Sequence, residues 1–122
     1  MLIKNLYTID AFDKEPQQVT ASVTLNAAHK IFEGHFPGQP VLPGVCQLQM
    51  VKELLEQAMR KKLFLSEAAS CKFLQMISPE QTPALAIIIN YEVLDGTVAC
   101  NAVIKSKDAV HLKLNSRFAI VG

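Results

Sequence analysis

The chain has no tryptophan, three cysteines, a formal net charge of +1 and no long apolar run. Each shortage removes a class of function. Twelve Lys and Arg against eleven Asp and Glu leave no electrostatic footprint for a nucleic acid, which is usually held by a basic face. Cys46, Cys71 and Cys100 are odd in number, widely spaced and free of any CxxC pair. Neither a disulfide framework nor a zinc site is expected, and a reducing cytoplasm suits them. The longest purely apolar run, Ala84–Ile89, is far shorter than a membrane span. In the opening MLIKNLYTIDAF, Asn5 and Asp10 interrupt the apolar residues before a signal-peptide core could form, so no leader is expected. There is no phosphate loop or nucleotide fingerprint, and Asp10, Asp13 and Glu15 lack metal-ligand spacing. No cofactor and no metal are therefore expected.

What remains is a chain of 122 residues, half of them hydrophobic, with a mean hydropathy of +0.22. One cytoplasmic domain spanning residues 1–122 is expected. A domain this small leaves apolar surface that a partner could cover. Leu6 to Phe12 fits a short strand, and Asp13 to Pro16 supplies turn chemistry. In Gln17 to Leu25, Val19, Ala21, Val23 and Leu25 alternate with Thr20, Ser22 and Thr24, the period of a half-buried strand.

A helix is expected from Gly44 to Lys62, with Val45, Leu48, Val51, Leu54, Leu55, Ala58 and Met59 as its apolar stripe. Arg60, Lys61 and Lys62 would complement the dipole at its end. The remainder reads as strands: Cys71 to Ile77, Ala84 to Val93, Thr97 to Lys105 and Ala109 to Val121. One long helix among strands needs an apolar surface to lie on. A curved antiparallel sheet would supply it, which makes the chain α+β.

Between the early strands and the helix the chain changes character. Three of the six prolines (Pro37, Pro40, Pro43) and three of the five glycines (Gly34, Gly38, Gly44) fall within eleven residues. Proline fixes φ and glycine permits close backbone approach, so this is a rigid, specified loop. It surrounds one ionisable side chain, His35, whose ordinary pKa lies near neutrality and suits a general base. The helix beginning at Gly44 offers unpaired N–H groups that could polarise a carbonyl oxygen. A base beside such a site suits proton abstraction α to a carbonyl.

The segment Gly34-His35-Phe36-Pro37-Gly38-Gln39-Pro40-Val41-Leu42-Pro43-Gly44-Val45 resembles the signature of the hot-dog-fold 3-hydroxyacyl-acyl-carrier-protein dehydratases, G-H-F-P-G-x-P-x-x-P-G-V, at all nine fixed positions. The resemblance implies a helix wrapped by the sheet, a dimer, and an acyl tunnel at the dimer interface. It implies His35 as the base at the α and β carbons of a 3-hydroxyacyl thioester and the Gly44 N–H as the donor to the thioester carbonyl. Phe36, Pro37, Gly38, Pro43 and Val45 would line the substrate. Arg60, Lys61 and Lys62 would dock an acidic acyl carrier protein.

One position departs from the family. The resemblance places a Glu or Asp fourteen residues after the His, on the helix of the opposite protomer, and this chain has Gln49 there. An amide can hydrogen-bond but cannot shuttle a proton. Three functions therefore stay open: a dehydratase in which Gln49 positions the substrate, a non-catalytic acyl-binding subunit pairing with an active hot-dog paralogue, and an acyl thioesterase. Glu53, one helical turn on, and Glu33, two residues before His35, are the nearest alternative carboxylates. Cys46, at the helix start, reads as a small buried hydrophobe with a conceivable covalent role. His29 reads as a polar loop residue, and His111 as a solvent-facing or satisfied residue of the last strand.

Overall fold

The computed structural model describes residues 4–34, 38–107 and 109–121. Six strands and one α-helix follow in the order β1 (Tyr7–Glu15), β2 (Gln18–Leu25), α1 (Gly44–Met59), β3 (Lys62–Phe73), β4 (Ala84–Leu94), β5 (Thr97–Lys105) and β6 (Val110–Val121). A short 3-10 turn, Lys30–Phe32, lies between β2 and α1. The strands form one sheet in the order β1-β2-β4-β5-β6-β3, every pair antiparallel. Register shifts in β1 and two in β3 bend these outer strands, because an extra residue increases local twist.

The inner face of the sheet follows the period-two pattern. Val19, Ala21 and Val23 of β2 are buried, and so are Ile87 and Ile89 of β4, Cys100 and Ile104 of β5, and Leu112 and Phe118 of β6. Helix α1 covers this face with Cys46, Gln47, Met50, Val51, Leu54, Leu55 and Ala58. One helix and one sheet thus share a single apolar layer, which is the α+β arrangement expected from the sequence.

Four sequence expectations need correction. The helix stops at Met59, not Lys62, because Arg60 adopts a left-handed conformation (φ 56°) and its N–H closes on Glu56 O at 2.8 Å. Glu56 then accepts the N–H of Leu63, so the chain turns directly into β3. The third strand runs Lys62–Phe73 rather than Cys71–Ile77. It is an edge strand paired only with β6 and mostly exposed, so it carries little alternation to read. Residues 74–77 form a loop instead, with Ile77 fully buried and its carbonyl receiving the N–H of Leu42 at 2.9 Å.

The helix stripe is also rotated from the one expected. Val45 is 73% exposed, whereas Gln47 and Met50 are buried. Two residues turn a helix by about 200°, so burying Gln47 forces Val45 outward. Strand β1 is longer than expected, continuing through Asp13 to Glu15 before a turn at residues 16–17.

Burial has a consequence at high pH. Desolvation raises the Cys100 thiol to about 11, and the Ser116 hydroxyl opposes this only in part. A thiol whose folded pKa is raised contributes stability that is complete below the unfolded value of about 8.5 and lost as pH rises through the folded one. The contribution of Cys100 to the unfolding free energy should therefore be level up to about pH 8 and decline above about pH 9, by roughly 2–3 kcal/mol at most. Urea titrations should show a shallower decline between pH 9 and 11 for Cys100→Ala than for the parent. Equal slopes would mean that the thiol ionises alike in both states.

Candidate active site

The site is built around the start of α1. Pro43 is the N-cap, extended at φ −61° and ψ 148°, and it offers no side-chain hydrogen bond to the first turn. Cys46 and Gln47 turn their N–H groups back to Pro43 O, each at 3.1 Å. The amides of Gly44 and Val45 therefore head the helix where its partial positive charge is greatest. The loop is fixed from the side by the Leu42–Ile77 backbone bond and by burial of Leu42 and Ile77. Gly38 holds φ at +82°, a conformation that favours glycine.

Gly44 is closely approached by a side chain. A Cβ there would meet the Phe73 ring at 2.7 Å, so the end of β3 presses on the helix N-terminus. Residues 41–44, Gln47 and residues 73–76 line a cleft of about 500 Å³ at this place. Phe73 and Met76 are large apolar groups left exposed beside it, at 51% and 75%. Gln47 ties the floor to the loop, its Nε2 donating to Leu42 O at 3.3 Å.

Gln49 lies about 7.5 Å further along the helix axis than Gly44 and is half-buried. Its Nε2 donates to Glu53 Oε2 at 3.1 Å. The other oxygen of Glu53 accepts the Tyr7 hydroxyl at 2.8 Å. Burial first, and then the hydrogen bond and charge of Glu53, push the Tyr7 hydroxyl well above its ordinary pKa, so it stays a neutral donor. Glu53, which spacing alone offers only as a distant stand-in, is thus joined directly to Gln49. The four-residue spacing was visible in the sequence. Tyr7 was not, because it comes from the far edge strand.

The remaining candidates separate clearly. His35, Phe36 and Pro37 lie outside the described residues, between Gly34 and Gly38. Val45 faces outward beside Gly44. Arg60, Lys61 and Lys62 are exposed, but they form the cap and the start of β3 and leave the last helical turn without a basic residue. They stand at the opposite end of α1, about 24 Å from its start, where with Tyr7, Glu53 and Glu56 they border a second cleft. Glu33 is exposed in the turn after the 3-10 segment.

Cys46 is buried, and burial together with the negative charge of Glu53 raises its thiol pKa. That suits a core residue rather than a nucleophile. His29 caps the 3-10 turn, accepting from Ile31 N at Nδ1 while Nε2 donates to Lys4 O. His111 is buried and satisfied between Gln75 O and the Ser106 hydroxyl. Among the described residues, no helix is long and apolar enough to cross a membrane, and no group of His, Cys, Asp and Glu could hold a metal.

A single helix on a six-stranded antiparallel sheet, entered through a glycine- and proline-rich loop, defines the hot-dog fold. Solved structures share it. The chain superposes on the dehydratase heterocomplex ApeI:P from Xenorhabdus doucetiae with a TM-score of 0.75 at 19% identity, covering 92% of this chain and 96% of that one. It also superposes on a mutant thioesterase from Pseudomonas aeruginosa with a TM-score of 0.64 at 15% identity, covering 94% and 81%.

The sequence is more specific. The ApeI-like family, described as ApeI dehydratase, matches residues 11–114, and this chain belongs to it. It is 30% identical to the 3-hydroxyacyl-acyl-carrier-protein dehydratase FabZ of Lactiplantibacillus plantarum, over 88% of this chain and 82% of that protein. Identity to the FabZ of Lactobacillus helveticus is also 30%, over 93% and 85%.

The contact between Phe73 and Gly44 is open to a direct test. Gly44→Ala should push the half-exposed ring aside, and Phe73→Ala should remove the obstacle. Urea unfolding of the two single variants and the double variant should give a coupling of about 1 kcal/mol. Additive effects would show that the two residues do not meet.

Proposed function

We propose that the chain is a dehydratase that removes water from 3-hydroxyacyl thioesters carried on an acyl carrier protein. The observation that carries this reading is the uncapped helix start at Gly44, placed directly after a complete dehydratase loop motif. The thioester carbonyl oxygen accepts the Gly44 N–H. The dipole and the hydrogen bond stabilise the enolate that forms when the α proton leaves.

His35 takes that proton. The C–O bond to the β-hydroxyl then breaks, and His35 returns the proton to the departing oxygen, so water and the enoyl thioester form with no net change of protons. Gln49 from the helix of the opposite protomer holds the β-hydroxyl in line. Phe36, Pro37, Gly38, Pro43 and Val45 bound the acyl group near its thioester. Arg60, Lys61 and Lys62 offer the only run of like charge to an acidic carrier, an interaction that salt would weaken.

A second reading, an acyl-binding subunit paired with an active hot-dog paralogue, draws support from two observations. The related ApeI structure is a heterocomplex. In this chain β3 is an unpaired sheet edge twelve residues long, with Phe64 and Phe73 exposed upon it. Such an edge offers backbone groups to another strand. A second copy of this chain or a related one would suit it.

The two readings part in one assay. The purified chain is given a 3-hydroxyacyl carrier-protein thioester, and enoyl product and free thiol are followed together. Dehydratase action predicts enoyl product that falls by about 10²–10⁴ in His35→Ala, the usual loss of a general base. Gln49→Glu, which supplies a proton-carrying group, should raise the rate. Acyl binding without turnover would favour the subunit reading, and free thiol would favour a thioesterase.

A further inference from the structure

Charge on the outer face of the sheet is unevenly placed. Antiparallel partners point to the same side, and side chains directly opposite interact most strongly. In the middle of the β3–β6 pair, Glu67 stands opposite Arg117, a match of opposite sign. Toward the end of β3, Lys72 stands opposite Lys113. Both lysines are exposed, and like charges so placed destabilise a sheet. Lys113 has Val103 of β5 on its other side. Lys105 follows Val103 by two residues, hence on the same face, and it is exposed between Ala86 and Val110. Among the described residues, no acid is a strand partner of any of the three. Lys105 and Lys113 lie about 8 Å apart at Cα by the strand spacings. The three charges therefore act as one field at physiological salt.

This field adjoins the cleft at the start of α1. The residue after Lys72 is Phe73, whose ring lies against Gly44. Leu74 donates its N–H to His111 O at 2.9 Å, and the His111 ring joins Gln75 O at 3.2 Å to the Ser106 hydroxyl at 2.9 Å. Ser106 directly follows Lys105. The lip of the cleft is thus tied to the strands that carry the lysines. Among the described residues, no charged side chain lines the cleft at Gly44 itself, so recognition of an ionic partner falls to the surface around it. A further cleft of about 670 Å³ lies against Ala84, Ala86, Lys105 and Val110 on this outer face, giving a partner relief to seat on. Arg60, Lys61 and Lys62 stand at the other end of α1.

We propose that Lys72, Lys105 and Lys113 form the surface on which an acidic carrier protein docks to deliver its acyl thioester to the cleft at Gly44. The inference rests on the dehydratase reading for the identity of the partner, and it moves the carrier's contact away from the run at Arg60–Lys62. An acidic surface laid over the three lysines supplies the counter-charge that the strand register withholds. The repulsion between Lys72 and Lys113 weakens the free sheet, and docking relieves it. Attraction of this kind acts mainly on the rate of encounter and fades with salt.

The test follows binding and turnover separately, on the full chain. Binding is measured by calorimetry with an acyl carrier protein that bears its pantetheine arm and no acyl group. The double variant Lys72→Glu/Lys113→Glu should raise Kd about tenfold. It keeps a like-charge pair across the strands, so its urea midpoint should match the parent's. Lys72→Arg/Lys113→Arg and Arg60→Glu/Lys61→Glu should each leave Kd within about twofold. In the dehydration assay, the Lys72→Glu/Lys113→Glu variant should raise KM about tenfold for the carrier-bound thioester, with KM for a free pantetheine thioester and both kcat values within about twofold.

A Kd unchanged in Lys72→Glu/Lys113→Glu overturns the proposal. So does a loss of binding confined to Arg60→Glu/Lys61→Glu, or a parent chain that does not bind the carrier. Binding that depends on the lysines but gives no enoyl product upholds the docking surface and removes the dehydratase reading alone.

Discussion

Burial of one face of α1 sets the geometry of everything else. The helix has a single sheet to lie on, and its inward residues, from Cys46 and Gln47 to Ala58, leave almost no choice of rotation about its axis. Side chains on a helix are about 100° apart per residue. Seating Gln47, Val51 and Leu54 in the core therefore fixes where Gly44, Val45, Gln49 and Glu53 point. Rotating the helix by one residue would bury Val45 and lift Gln47 out, and the Gln49–Glu53–Tyr7 contact would be lost with it.

The rest of the structure braces that seating at both ends. At the start, Pro43 holds an extended cap, the Leu42–Ile77 bond pins the incoming loop, and Phe73 presses against Gly44. At the end, the left-handed Arg60 stops the helix, and Glu56 receives Leu63 as β3 begins. In the middle, Tyr7 reaches Glu53 from the opposite edge of the sheet. The proposed site relies on backbone N–H groups and an amide beside one histidine, which carry little charge with which to organise a substrate. Its usefulness depends on being preorganised.

Much of this was legible in the sequence, and the exceptions have physical causes. Strand β2 was marked by its period of two, and β4 by β-branched residues closed by Asp95-Gly96. The start of α1 was marked by Pro43 and Gly44. Its end was not, because Arg60, rather than a glycine, takes the left-handed cap. Strand β3 was hidden since KLFLSEAASCKF has weak strand propensity and pairs on one side only. The loop motif identified the family. The partner of Gln49 needed three dimensions: the spacing to Glu53 lies in the sequence, but Tyr7 is placed beside it only by the sheet.

The most direct measurement is a crystal structure of the chain with a non-reactive 3-hydroxyacyl-pantetheine amide bound. The predicted result is a carbonyl oxygen about 2.7–3.2 Å from the Gly44 N, with the β-hydroxyl turned toward Gln49 of the opposite protomer. A ligand whose carbonyl avoids the helix start would contradict the account.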